Sequence, residues 1–347
     1  MQNALLQWYA AHKRNLPWRQ THDPYRIWIS EAMLQQTRVD QALPYYERFL
    51  KTFPTIQKLA KAPLGKVLKV WEGLGYYSRA RHLHRAAKEI VKTHKGKVPD
   101  SYDELSQLPG FGPYTTAAVL SIAYNKPYPV LDGNVIRVLS RLYLIETDAK
   151  KTETKKQLWE YARQLLPANR ASDFNQAMME LGAMICVPQK PKCPVCPLNT
   201  DCKAFNGLKD PSVLPYSAPK KKIPHYDVVA GLIWNNDKLL IALRPEEGLL
   251  GGLWEFPGGK RKKNESLQNA CLREIKEELG ITVRVNEPFI KLNHAYSHFR
   301  ITLHTFHCLY QNGTPKALGC TDWKWVTVND LKKYAFPKAN TKIIEAL

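Results

Sequence analysis

The feature that most constrains this chain is a change of pattern past its middle. Up to residue 207, apolar residues recur at three- and four-residue spacing over Leu64–Trp71, Ala80–Val91, Tyr114–Ala123, Val135–Leu144 and Lys155–Leu166. That period is helical, and Pro54, Pro63, Gly73, Pro109, Gly110, Gly112, Pro127 and Pro129 punctuate it. Beyond Pro224, β-branched and aromatic residues dominate Val228–Trp234, Leu239–Leu243, Ile281–Val285 and Arg300–Tyr310, which read as strands. One helix, Leu267–Leu279, lies among them, with Gly280 as its C-cap. Between the two patterns, Leu208 to Pro224 holds Pro211, Pro215, Pro219, Pro224 and the run Lys220-Lys221-Lys222, so it reads as an extended, semi-rigid linker. We therefore expect a multidomain chain. An all-α domain spans 1–207, a Pro/Lys-rich linker 208–225, and a smaller α/β (α+β) domain 226–347.

The charge balance narrows the partner. Against 31 Asp+Glu stand 51 Lys+Arg, a formal net charge of +20. Such an excess suits a polyanion, most simply DNA or RNA, although a generally basic solvated surface has the same composition. No apolar stretch is long enough to span a bilayer. Gln7, His12, Lys13 and Arg14 interrupt the first residues, so no signal peptide is read and no membrane association is expected. A monomer in the cytoplasm, associated with the nucleoid, is the expectation.

Four of the seven cysteines fall together as Cys186, Cys193, Cys196 and Cys202, spaced C-x6-C-x2-C-x5-C. Thiols clustered in this way, with no export signal, point to a reducing compartment and to a metal or iron–sulfur site rather than disulfides. On spacing alone, a structural zinc is an equal reading. Lys190 and Lys192, on the proline-held loop between the first two cysteines, would suit phosphate contacts.

Four further segments carry chemistry. Leu108-Pro109-Gly110-Phe111-Gly112-Pro113-Tyr114 reads as a helix–hairpin–helix near 108–116, whose backbone N–H groups at the second helix would hold a phosphate without reading sequence; an ordinary helix–helix turn is the plain alternative. Gly73-Leu74-Gly75-Tyr76-Tyr77 precedes Arg79, Arg81, His82 and Arg85, a mix that suits unstacked bases and backbone charge as well as it suits core tyrosines. Glu31 shares a helical stripe with Ile27 and Leu34, where lost solvation would raise its pKa, unless it is a salt-bridged structural glutamate. Asp132 stands just ahead of a helix, as an N-cap whose anion the helix dipole favours. An acid and a fixed anion are the pair needed to break a glycosidic bond through an oxocarbenium-like transition state.

Together these segments resemble the helix–hairpin–helix DNA glycosylases that carry an iron–sulfur cluster, and within them the MutY family of adenine DNA glycosylases. The resemblance is carried by Leu16-Pro17-Trp18, Ser30 to Thr37, Gly73 to Tyr77, Leu108 to Gly110, Leu131 to Val135, Phe174 to Met178 and the four cysteines. It implies a [4Fe–4S] cluster on those cysteines and removal of adenine from double-stranded DNA where it faces 8-oxoguanine or guanine. It assigns Glu31 as the acid that protonates adenine N7, Asp132 as the carboxylate that stabilises the cationic sugar and Asn134 as its polar partner. Gln36 and Tyr76 correspond to residues that enter the stack near 8-oxoguanine, while Gly110 and Gly112 belong to the DNA-gripping hairpin. Tyr114 occupies the place of the nucleophilic lysine of endonuclease III, which implies a monofunctional glycosylase without efficient lyase activity. Tyrosine there also occurs in thymine-mismatch relatives, which resemble this chain less around Glu31.

In the C-terminal domain, Gly259-x5-Glu265-x7-Arg273-Glu274-Ile275-x-Glu277-Glu278-x-Gly280-Ile281 matches the Nudix box. Glu274, Glu277 and Glu278 share one helix face and would suit Mg2+ or Mn2+ in diphosphate hydrolysis. Adenine glycosylases have a Nudix-fold domain whose box has decayed, and it recognises 8-oxoguanine through Phe-Ser-His. Here the box is intact and the recognition motif reads Tyr296-Ser297-His298. Three functions are therefore weighed: an adenine glycosylase whose Nudix-fold domain reads the lesion, the same protein with added Mg-dependent nucleotide hydrolysis, and a non-catalytic mismatch sensor. The presence of both Glu31 and Asp132 speaks against the sensor.

Overall fold

A computed structural model describes residues 1–218, 223–296 and 298–347; the Lys220-Lys221-Lys222 run and Ser297 lie outside the described residues. Helices α1 (Gln2–His12), α2 (Pro24–Leu34), α3 (Val39–Thr52), α4 (Ile56–Lys61), α5 (Leu64–Trp71), α6 (Ser78–Thr93), α7 (Tyr102–Ser106), α8 (Pro113–Tyr124), α9 (Gly133–Leu142), α10 (Thr152–Leu165), α11 (Ala171–Met184) and α12 (Lys203–Gly207) come first. Strands β1 (His225–Asn235), β2 (Lys238–Leu243), β3 (Trp254–Glu255) and β4 (Gly258–Lys260) follow, then α13 (Leu267–Leu279), β5 (Thr282–Ala295), β6 (Arg300–Asn312), β7 (Asp322–Thr327) and α14 (Lys338–Ala346). The helical period thus marks real helices. Helix α9 stops at Leu142, short of the apolar pattern, where Leu144 turns to φ 56° and breaks the ladder.

The residues divide into two compact units. The first comprises Met1–Ala42, Thr55–Ala60 and Arg85–Lys220. Its core joins Leu5 and Leu6 of α1, Ile27 of α2, Ala117 and Ala118 of α8, Val135, Val138 and Leu139 of α9, and Phe174, Met178 and Leu181 of α11. Every residue of α8 from Thr115 to Ile122 is buried, as expected of a helix apolar on all sides. The start of the linker is pinned to this unit: Leu214 is buried, and its carbonyl accepts a 2.9 Å bond from Arg141 Nε.

The second unit comprises Leu43–Pro54, Lys61–His84 and Lys221–Leu347. Its mixed sheet has the order β3-β2-β1-β6-β5, with β4 on β1 and β7 on β2; β1 and β6 are parallel and the other pairs antiparallel. Alternation along β1 sends Val229 and Ile233 to the face covered by Ala270, Cys271, Ile275 and Leu279 of α13. Ala230 and Leu232 face the other way, into a core with Phe256, Phe336 and Ile343. Gly280 caps α13 at φ 70°, as its position suggests. Strand β5 runs on to Ala295, past the segment Ile281–Val285 visible in the sequence, because register shifts around Pro288 break the alternation without ending the pairing. Among the described residues no helix is long and apolar enough to cross a membrane.

Candidate active site

Helix α2 is started by Asp23, whose carboxylate accepts from Tyr25 N, with Pro24 in the first turn. Its inner face carries Glu31, which is 4% exposed. Three contacts register α2 on the hairpin and α8. The Trp28 ring lies 4.9 Å from that of Phe111, Tyr114 Oη donates to Glu31 Oε2 at 2.7 Å, and Gln35 Nε2 donates to Thr115 Oγ1 at 3.0 Å. Burial pushes the Glu31 pKa up to about 7; the Tyr114 hydrogen bond opposes this and the charge of Asp132 adds to it.

Asp132 is the N-cap of α9. Its Oδ1 accepts from Val135 N at 2.7 Å and its Oδ2 from Asn134 Nδ2 at 2.9 Å. Arg137 Nη2 donates to Asn134 Oδ1 at 2.9 Å. The helix terminus does not alone govern this carboxyl, as the sequence suggested. Burial raises its pKa, and Val135, Asn134 and Arg137 hold it only partly down. The two carboxyls still differ in kind. Asp132 is served by a backbone N–H, an amide and a nearby guanidinium, whereas Glu31 is served by a phenol.

The surroundings explain why these groups converge. Gly182 of α11 is needed for close approach, since a Cβ there would lie 2.7 Å from Asn134 Cβ. Asn175 of α11 accepts from Val130 N at 3.2 Å and donates to Tyr128 O at 2.8 Å, which holds the segment leading to Asp132. Arg137 also donates to Gly182 O at 2.7 Å and Cys186 O at 2.7 Å. Sequence reasoning missed Arg137, and its one signal was the i+3 spacing from Asn134. It also missed Glu180, whose fully buried carboxylate receives Arg14 Nη2 at 2.6 Å and Arg19 Nη2 at 2.7 Å. Burial alone would raise that carboxyl, yet the two arginines bring it down to about 2.

Cys186, Cys193, Cys196 and Cys202 line one apolar cavity with Val138, Leu142 and Leu198. Arg141 crosses beside it, 3.4 Å from Cys186 Sγ, and donates to Val187 O at 2.8 Å and Pro188 O at 2.9 Å. Four soft sulfur donors around a single cavity, beside a guanidinium, fit a thiolate-bound metal group. Among the described residues no three His, Cys, Asp or Glu side chains are grouped as ligands of a metal ion.

In the second unit Arg273 laces the Nudix segment together. It donates to Glu265 at 2.8 and 2.9 Å, to Glu274 Oε1 at 2.7 Å and to Glu277 Oε2 at 3.1 Å. Glu278 is the exception; Gly258 N donates to it at 3.1 Å, and burial, with Glu255 adding, pushes its pKa to about 8. Of the proposed DNA contacts, Gly110 turns at φ 83° and Gly112 caps α8. Gln36 is exposed at φ 57°, immediately after the α2 C-cap. Tyr76 is 42% exposed at φ 48°, with Arg79 5.3 Å from its ring centroid. Tyr296 packs between His294 and Phe299 at 4.6 and 4.8 Å, and His298 is exposed.

A hairpin feeding a buried helix, a protonatable carboxyl beside a capped one, and an appended mixed sheet with its glutamate helix define the class: a helix–hairpin–helix DNA glycosylase joined to a Nudix-fold domain. Residues 29–164 match the HhH-GPD superfamily of base excision DNA repair proteins, and residues 229–346 match the NUDIX domain. The chain is 33% identical to the adenine DNA glycosylase of Homo sapiens, over 98% of this chain and 72% of that one. It is 37% identical to that of Buchnera aphidicola subsp. Acyrthosiphon pisum, over 85% and 82%. A thermostable thymine-DNA glycosylase superposes with a TM-score of 0.55 at 31% identity, over 60% of this chain and 95% of that one. An endonuclease III–DNA complex shares the fold, with a TM-score of 0.51 at 22% identity, over 59% and 93%. The chain belongs to the adenine DNA glycosylase family, base excision repair enzymes that hydrolyse the N-glycosyl bond.

Proposed function

We propose that this enzyme excises adenine paired with 8-oxoguanine or guanine in double-stranded DNA, as a monofunctional glycosylase. The observation that carries the reading is the buried Glu31 carboxyl, poised at about 7 with one phenol donor and within the field of Asp132. An adenine must leave the duplex to reach a carboxyl buried in this way. Glu31 then gives its proton to N7, so the base departs neutral. Asp132, held by Val135 N and Asn134, offsets the positive charge that grows on the sugar. Tyr114 spends its hydroxyl on Glu31 and supplies no amine for a Schiff base, which supports hydrolysis without strand cleavage.

Cys186, Cys193, Cys196 and Cys202 would hold a [4Fe–4S] cluster, which supplies a rigid cross-link to a loop poor in apolar residues and presents Lys190 and Lys192 to phosphate. Gln36, Tyr76, Gly110, Gly112, Tyr296, Ser297 and His298 are the proposed DNA and lesion contacts. The basic monomer would work on the nucleoid. The test is release of free adenine from a duplex with one A opposite 8-oxoguanine, under single-turnover conditions. Loss of release in Glu31→Gln is expected, and undiminished release would remove the assignment.

Nucleotide hydrolysis at Glu274, Glu277 and Glu278 is a second activity favoured by one observation: Glu278 holds a half-buried carboxyl, pushed up to about 8, that a divalent cation would ionise. Against it stands Arg273, which already neutralises Glu274 and Glu277. Incubating the full chain with oxidised and normal dNTPs and Mg2+ decides it, with Glu278→Gln as the control; no turnover leaves the glutamates a structural lattice.

A further inference from the structure

We propose that Tyr77 is a specificity-determining positioning residue: its hydroxyl ties the turn that carries Tyr76 to the C-terminal segment at Phe336, so that the second unit senses the base opposite adenine as one body. The inference rests on the reading above that Tyr76 and the β5–β6 turn contact that base.

The turn after α5 runs through the left-handed region. Gly73, Gly75 and Tyr76 all have positive φ (95°, 77° and 48°), and the last is not a glycine. A bulky residue held there needs outside support. Trp71 Nε1 and Arg79 Nη2 both donate to Gly75 O, at 3.0 and 3.1 Å, which fixes the turn from within. Fixation from outside comes from residues some 260 positions away. Tyr77 Oη accepts from Gly73 N at 3.2 Å and donates to Phe336 O at 3.3 Å, so one oxygen belongs to both segments. Glu72 Oε1 accepts from Phe336 N at 2.8 Å, and Lys69 Nζ donates to Tyr334 O at 2.8 Å. Farther along, Arg81 Nη1 donates to Gly251 O at 2.8 Å.

Phe336 is not a loose end. It is 1% exposed, stacks on Phe256 at 5.8 Å and belongs to the sheet core against which Tyr296 and Phe299 pack. A contiguous packed path therefore runs from the Tyr76 turn through the Tyr77 hydroxyl and Phe336 to the core against which Tyr296 and Phe299 pack. Packed cores transmit displacement because they are dense and have few voids. The Tyr77 ring is 5% exposed and fills its site whether or not it bears oxygen, so the hydroxyl serves the junction rather than the packing.

The experiment uses the full chain and Tyr77→Phe, which deletes only that oxygen. Single-turnover adenine release is measured on A:8-oxoguanine and A:G duplexes, alone and combined with Tyr76→Ala, and amide exchange is followed over residues 72–78 and 334–337. The expected result is an about tenfold loss of preference for the 8-oxoguanine duplex, the scale of one net hydrogen bond. The double variant should discriminate no worse than Tyr76→Ala, and both segments should exchange faster together. An unchanged preference, or an equal loss on both duplexes, overturns the proposal while leaving the lesion reading intact. A wild-type enzyme with no preference overturns the lesion reading, and this inference with it. Should Tyr77→Phe unfold, Glu72→Ala removes the neighbouring tie to Phe336 N and carries the same expectations.

Discussion

Two groups of carboxylates in this molecule have met burial in opposite ways. Around α13, Glu265, Glu274 and Glu277 share Arg273, and Glu255 pairs with Arg244 at 2.7 Å. In the helical unit Glu31, 4% exposed, lies deeper than any of them, among which Glu277 is exposed, and it is given a tyrosine hydroxyl instead of a guanidinium. A guanidinium stabilises the anion, and a phenol does so only weakly, so burial wins at Glu31 and the proton stays. The same unit holds its own counter-example in Glu180, clamped by Arg14 and Arg19 and brought down to about 2. Two guanidiniums outweigh burial at Glu180, whereas one does not at Glu255, whose carboxyl burial still raises beside Arg244; depth and partner together set the proton.

That contrast can be broken most sharply at Glu31. Glu31→Gln keeps the shape and removes the proton, and adenine release should fall by about 10²- to 10⁴-fold, the span of general-acid catalysis. Next comes Glu180. Glu180→Gln leaves two guanidiniums without their shared anion and should cost about 3–5 kcal/mol in urea unfolding. A drop of less than about tenfold in Glu31→Gln activity, or no change in stability at Glu180, would erase the distinction between the two.

Proton linkage gives a third measure. The Glu31 pKa is raised on folding to about 7, so the stability tied to its protonated form is present at low pH and lost as pH rises through about 7. The single-turnover rate should decline over the same range as the acid form is titrated away. Glu31→Gln should then gain relative stability at alkaline pH, by roughly 3 kcal/mol at most from the shift, measurable as Tm against pH. Tyr114→Phe removes a bond that lowers the Glu31 pKa, so the alkaline limb of its rate profile should move to higher pH. The smallest effect is expected at the exposed Glu277: Glu277→Gln should leave adenine release within about twofold of wild type. A larger change would mean that the glutamate helix takes part in the first reaction.

Much of this was legible in the linear pattern because it is local. The i, i+4 stripe of Ile27 and Glu31 predicts that the carboxyl is inward, and Asp132 ahead of an apolar helix predicts its capping role. The strands read as β-branched runs were found, whereas β3, β4 and β7 were not: β3 and β4 are two and three residues long, too short for alternation to register. The extent of β5 was hidden by Pro288 and its register shifts.

What the sequence determined by itself, then, was each side chain's local geometry: which face of which helix, which turn, which cap. Tertiary structure alone decided the partners. That Glu31 meets Tyr114 rather than an arginine, that Arg137 reaches Cys186 O, and that Tyr77 meets Phe336 all depend on packing between distant segments. Protonation and hydrogen bonding are set by what lies within a few ångströms, and for these residues the nearest groups are remote along the chain.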